Sequence, residues 1–196
     1  EMSASLVGSE MCIRDRLYDE PHEQHPADRP YALLTNKNEK KYHMTPIEFR
    51  RHLHAHPELS FREHDTAAFI ARQLDELGIA HRPVAGTGVL ATIPGRRAQG
   101  AERRAVVLRA DIDALPVTEQ TELGYTSQNA GVMHACGHDV HAAVLFGALA
   151  RLAENPDFGG TVIGLFQPGE ECNPGGASLV LAEKPFEGYD LSLIHI

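Results

Sequence analysis

The sequence predicts an α/β fold, a three-layer sandwich around a largely parallel, mixed sheet, and three observations predict it. Segments with apolar residues at helical spacing alternate with short runs rich in branched residues. No internal repeat interrupts that alternation. Its acidic pairs, Asp111 with Asp113 and Glu170 with Glu171, fall just after runs of the strand type. In open α/β sheets ligands gather beyond the carboxyl ends of strands. Cys136 and His138 immediately precede a helical segment, so three separate stretches are expected to meet at one cleft.

Taken in order, Thr45-Pro46-Ile47-Glu48 has the spacing of a capping box, with Thr45 as N-cap and Pro46 at the first helical position. That helix should run to about His56 and stop before Pro57. His52, His54 and His56 lie on it at alternate positions, which point to different sides of a helix, so they read as packing or surface residues rather than metal ligands. A second helix is expected over 63–77, with Phe69, Ile70, Leu74 and Leu77 on one stripe and Gly78 at its end. Residues 89–93 and 105–109 read as strands, joined by a polar, hairpin-like loop over 96–104. Residues 140–153 form the strongest helical pattern, ended by Asn155-Pro156; 161–166 is a buried-type strand, and a short helix follows over 175–183.

The two ends read differently. Residues 191–196, Leu-Ser-Leu-Ile-His-Ile, can be encoded by one strand of a DNA segment whose other strand encodes Met-Cys-Ile-Arg-Asp, the residues at 11–15. Both resemble translated transposase adaptor, so 1–16 and 191–196 are set aside from fold reasoning. Residues 17–43 are polar and without periodicity, and read as disorder or upstream readthrough. Met44 is the expected true start, and the carboxyl end is expected to be cut from a longer gene.

Composition bounds the function. With 42% hydrophobic and 23% charged residues in 196, the chain can bury one sizeable core. A net charge of -9 argues against nucleic acid or an anionic membrane as partner. No apolar run approaches a transmembrane helix, and Cys12, Cys136 and Cys172 lack paired spacing, so a soluble protein of the reducing cytoplasm is expected. Cys172 reads as structural.

The stretch 131–141 gathers a thiol, three imidazoles and a carboxylate. Cys136, His138 and Glu171 make a mixed soft and hard ligand set, suited to zinc, manganese, cobalt or nickel rather than calcium. Side chains of adjacent glutamates point apart in extended backbone, so one can ligate while the other handles protons. His134 and His141 read as supporting the ligands, contacting substrate or structural, and Asp111 and Asp113 as site acids or turn formers. Two other readings stay open: a thiol hydrolase with Cys136 as nucleophile and His138 or His141 as base, and a non-catalytic structural metal module.

Four motifs in order, Arg-Arg-His-Leu-His-Ala-His-Pro-Glu-Leu-Ser, Leu-Arg-Ala-Asp-Ile-Asp-Ala-Leu-Pro, Met-His-Ala-Cys-Gly-His-Asp-Val-His and Gln-Pro-Gly-Glu-Glu, resemble the N-acyl-amino-acid amidohydrolase family. That metallopeptidase-related group includes hippurate hydrolase, acetyldiaminopimelate deacetylase and auxin-conjugate hydrolases. The resemblance implies that 44–190 is part of a catalytic domain using two divalent metal ions to hydrolyse a small N-acyl amino acid, in a family that often dimerises through a lid domain absent here. It implies Cys136 as a thiolate bridging the metals, His138 and Glu171 as further ligands, and Glu170 as the general base. Asp113 matches the acid that orients a metal ligand. The family's further histidine ligand falls at the distance of His195, a residue of the set-aside segment.

Overall fold

The computed structural model describes residues 44–97, 100 and 103–195. The expectations for 1–43 and for Ile196 lie outside the described residues. The chain runs α1 (Pro46–Ala55), α2 (His64–Glu76), β1 (Ala80–Val84), β2 (Gly88–Pro94), β3 (Arg104–Asp111), α3 (His138–Glu154), β4 (Thr161–Gln167), α4 (Gly176–Ala182) and β5 (Asp190–His195).

The start of α1 is the capping box the sequence announces. The Glu48 backbone N–H donates to Thr45 Oγ1 at 3.2 Å, and the Glu48 carboxylate accepts from the Thr45 backbone N–H at 2.8 Å. The bonds that the Glu48 carboxylate accepts from the Thr45 backbone N–H and hydroxyl hold it below its usual range. His52 stacks on Phe69 with ring centroids 3.8 Å apart, so it packs rather than ligates.

One five-stranded sheet has the order β1-β2-β4-β3-β5. It is mixed: β1–β2 and β2–β4 are antiparallel, whereas β3–β4 and β3–β5 are parallel. Along β2, Val89, Ala91 and Ile93 face α1, α2 and α3, while Leu90 faces the other side with Val107, Ile163, Leu165 and Val180 of α4. That alternation makes the three layers. Phe49 of α1 and Phe146 of α3 stack at 4.3 Å between ring centroids in the larger core. Gly164 lets α3 approach the central strand, since a Cβ there would lie 2.5 Å from Leu149 Cδ1.

Three features differ from the sequence reading. β2 and β3 are not a hairpin, because β4 lies between them and pairs with both. Hydrophobic alternation marks a strand but carries no information about its neighbours. β1, Ala-His-Arg-Pro-Val, was not expected: it is largely exposed, and an edge strand is where Pro83 is tolerated. Residues 190–195, mostly set aside above, form β5 in parallel register with β3, Arg109 opposite His195. Leu-Ser-Leu-Ile offers strand-compatible side chains, and the pairing itself uses only backbone groups; all six residues are exposed. Among the described residues no helix is long and apolar enough to cross a membrane.

Thr45→Ala should lower the stability to urea by about 1 kcal/mol, read as a shift in midpoint at unchanged slope, because the Glu48 backbone N–H loses its acceptor, Thr45 Oγ1.

Candidate metal centre

Parallel pairing puts the carboxyl ends of β3 and β4 side by side, Asp111 opposite Gln167. The chain leaving β3 supplies Asp113, and the chain leaving β4 supplies Glu170 and Glu171. Between them the 114–137 connection returns to the same edge and enters α3 at Gly137, which caps the helix at φ +85°, a left-handed conformation that glycine adopts at low cost. Cys136 and His138 flank that residue.

Asp113 is the hub. It is 1% exposed. Its Oδ2 accepts from Ser60 Oγ at 2.7 Å and from the Glu171 backbone N–H at 2.9 Å. His138 Nδ1 lies 2.9 Å from the Asp113 carbonyl oxygen and 3.2 Å from its Oδ1. Burial alone would raise the Asp113 carboxyl, but the His138, Glu171, Ser60 and Glu170 hydrogen bonds hold it down to about 2. The same contacts raise the His138 imidazole above its usual value against the opposing effect of burial. With Nδ1 engaged, Nε2 of His138 is left facing the open side.

There, the donor atoms of Cys136, His138 and Glu171 all lie within 4.8 Å of one another. His138 Nε2 is 3.8 Å from Glu171 Oε1 and 4.0 Å from Glu170 Oε2, beyond hydrogen-bond reach. Glu171 Oε1 is buried and, among the described residues, has no hydrogen-bond partner. A buried carboxylate oxygen without a donor is costly, and a cation between these three groups relieves it. Partial burial and the carboxylates of Glu171, Glu170 and Asp111 push the Cys136 thiol up to about 12. These side chains fit a divalent ion.

Asp111, His141 and His195 form a second trio within the same distance limit. It is already compensated: Arg109 donates to Asp111 Oδ1 at 2.5 Å and lies 2.9 Å from His195 Nδ1. The His141 ring sits 5.5 Å from that of His138, centroid to centroid. His134 is buried, at 1% exposure, with neither ring nitrogen hydrogen-bonded, and burial depresses its imidazole to about 4. It does not reach solvent. Cys172 Sγ makes two long contacts, to the Gly169 carbonyl at 3.7 Å and the Pro174 carbonyl at 3.9 Å.

Sequence reasoning missed several residues that hold this arrangement. Arg109 lay inside a quoted motif without a role. His54 was read as packing, but its Nδ1 lies 2.8 Å from Asp139 Oδ2 and its Nε2 3.1 Å from Glu119 Oε1, and Arg50 meets the same Asp139 oxygen at 2.7 Å. Asp139, fully buried one residue after His138, is held down to about 2 against its burial chiefly by the His54 hydrogen bond. The available signal was two basic residues four apart on α1, which share one helix face.

Residues 107–196 match peptidase family M20/M25/M40. An N-acetyl-L-cysteine deacetylase of Bacillus subtilis (strain 168) is 50% identical over 146 residues, 74% of this chain and 34% of its own length. An N-acyl-L-amino acid amidohydrolase of Geobacillus stearothermophilus is 43% identical over 148 residues, 74% of this chain and 39% of its own. A solved Bacillus subtilis structure, described as a dinuclear metal binding peptidase from the M20 family, superposes with a TM-score of 0.71 at 42% identity, over 76% of this chain and 41% of that one. This chain therefore spans well under half the length of each.

Because the Asp113 carboxyl is depressed from 3.8 to about 2, its contribution to stability is present above the unfolded value and disappears as pH falls through the folded one. Asp113→Asn should therefore cost about 2 kcal/mol at neutral pH, with the gap from the parent closing below about pH 3, in urea titrations across that range.

Proposed function

We propose that this chain, whose residues 107–196 match peptidase family M20/M25/M40, is part of a metal-dependent amidohydrolase cleaving small N-acyl amino acids. The observation that carries this reading is the convergence of Cys136, His138 and Glu171 around a buried, unpartnered carboxylate oxygen, with a second glutamate next to it. The names of the relatives, a deacetylase acting on N-acetyl-L-cysteine and an N-acyl-L-amino acid amidohydrolase, agree with it.

Cys136, His138 and Glu171 would hold one divalent ion, and their sulfur, nitrogen and oxygen donors suit zinc, manganese, cobalt or nickel. A second ion, in keeping with the dinuclear neighbour, would draw on the adjoining trio of Asp111, His141 and His195, two members of which Arg109 now contacts. Bound there, the metal supplies Lewis acidity to the amide carbonyl and to water. The remaining work falls to the chain's own groups. Asp113 fixes the His138 ring so that Nε2 faces the ligand cluster. Glu170, whose side chain is 43% exposed beside that cluster, takes a proton from the attacking water. As the C–N bond breaks it passes that proton to the departing amine, leaving the free acid and the amino acid. A site built around a free thiol belongs in a reducing compartment, for which the cytoplasm is our assignment.

Elemental analysis of the purified chain tests the ligand set. The parent should retain metal, Cys136→Ser should lose most of it, and Glu170→Gln should keep it. In a polypeptide of the relatives' full length carrying this segment, Glu170→Gln should slow release of free amine from N-acetyl amino acids by about a hundredfold or more. Activity that survives a chelator but not thiol alkylation would instead assign Cys136 as the nucleophile.

A further inference from the structure

We propose that Glu63 is a positioning residue for the turn carrying Glu170 and Glu171, acting through the Gly169 backbone. The role of that turn rests on the functional reading above; the bracing rests on contacts alone.

Glu63 is completely buried. It occupies the N-cap position of α2 yet makes no side-chain cap. A carboxyl group at a helix start ordinarily accepts from the first turn of its own helix, and here Glu58 takes that place, accepting from the Thr66 backbone N–H at 2.8 Å. Glu63 turns away from its helix. Its Oε1 accepts from the Gly169 backbone N–H at 2.8 Å and its Oε2 from Thr87 Oγ1 at 2.5 Å. Burying a carboxyl group is offset only if both oxygens are bonded, and both bonds go to segments distant in sequence.

The residues leading to Glu63 brace the same two acid-bearing segments. The Glu58 carbonyl oxygen accepts from the Ala114 N–H at 2.8 Å, and Ser60 Oγ donates to Asp113. Phe61, at φ +60°, lays its ring against Gly169, itself at φ +60°. A Cβ on Gly169 would lie 2.5 Å from that ring. The 58–63 connection thus holds the chain after β3 at one end and the turn after β4 at the other. Two residues beyond Gly169, the Glu171 N–H closes the triangle on Asp113. Release of Gly169 lets the turn drift, and Glu171 with it, while His138 stays fixed by Asp113.

The variants to compare are Glu63→Ala, Glu63→Gln and, as a remote core control, Ile70→Val. Glutamine keeps one oxygen for the Gly169 N–H, and its amide can donate to the Thr87 hydroxyl, which accepts as readily as it donates. Cobalt binding by the full chain, followed through the thiolate-to-cobalt absorption, should weaken about ten- to a hundredfold in Glu63→Ala and stay within about threefold of the parent in Glu63→Gln and Ile70→Val. Amide hydrogen exchange at Gly169 and Glu171 should speed up by about tenfold or more in Glu63→Ala relative to Leu165 of β4, and stay close to the parent in Glu63→Gln. If Glu63→Ala does not fold, Glu63→Asp, one methylene shorter, carries the same expectation. Parent-like exchange at Gly169 and Glu171 in the folded Ala or Asp variant overturns the proposal. So does a loss of cobalt affinity as large in Ile70→Val as in Glu63→Ala, because affinity would then follow stability rather than the turn. If the parent itself binds no cobalt, the metal reading fails, and the exchange data alone decide the role of Glu63.

Discussion

The arrangement of the whole site depends on one carboxylate. Asp113 is reached by three stretches far apart in sequence: Ser60 from the α1–α2 connection, His138 from the start of α3 and the Glu171 backbone from the turn after β4. Such a group is expensive to bury, and the donors from these three stretches offset part of that cost. The hydrogen bonds that keep it ionised therefore also fix the relative placement of the three segments. A looser site would leave Asp113 short of donors, so the geometry and the electrostatics of the centre are one constraint.

The sheet brings that constraint within reach. β3 and β4 run in parallel, so their carboxyl ends emerge together, and the backbone register sets Asp111 beside Gln167 before any side chain takes part. Two residues on, Asp113 has left the ladder and can turn towards α3. Gly137 then lets the chain reverse into that helix in a left-handed conformation, which places Cys136 and His138 on either side of the turn. Behind them Asp139, tied to α1 by Arg50 and His54, anchors the helix start.

What the sequence made legible was whatever depends on local pattern. The capping box at Thr45, the helix stops near Pro57 and Asn155 and the core stripe of α2 follow from spacing alone, and each is present. The convergence of Cys136, His138 and Glu171 was partly legible, because a thiol and an imidazole two residues apart stay close in any backbone conformation. Strand order was not legible: β4 pairs with β2 and β3 by long-range contacts that leave no mark on residues 96–104. β1 escaped because an exposed edge strand needs no apolar alternation. Glu63, the Arg109–His195 contact and the His54–Asp139 pair escaped for a common reason: each joins residues 24 to 106 positions apart, and a single sequence carries no sign of which distant residues meet.

Charge accounting separates the two acidic clusters around α3. Asp139 is fully buried, but Arg50 and His54 both reach its Oδ2 at hydrogen-bond distance, so its charge is compensated by the protein itself, although among the described residues Oδ1 has no hydrogen-bond partner. Asp111 has Arg109 in the same way. Among the described residues, the basic group within 4.0 Å of Glu170 and Glu171 is His138, at 4.0 and 3.8 Å, and that imidazole is already engaged by Asp113. The Cys136 thiol adds a further potential anion to the same space. Attraction across such gaps is screened where solvent enters, and it leaves the buried Glu171 oxygen without a donor. Among the described residues two neighbouring carboxylates have dedicated arginines and Glu170 and Glu171 have none beside the Cys136 thiol and His138 Nε2, which supports the cation site proposed there. This asymmetry, more than the residue types taken singly, separates the Cys136–His138–Glu171 cluster from an ordinary acidic loop.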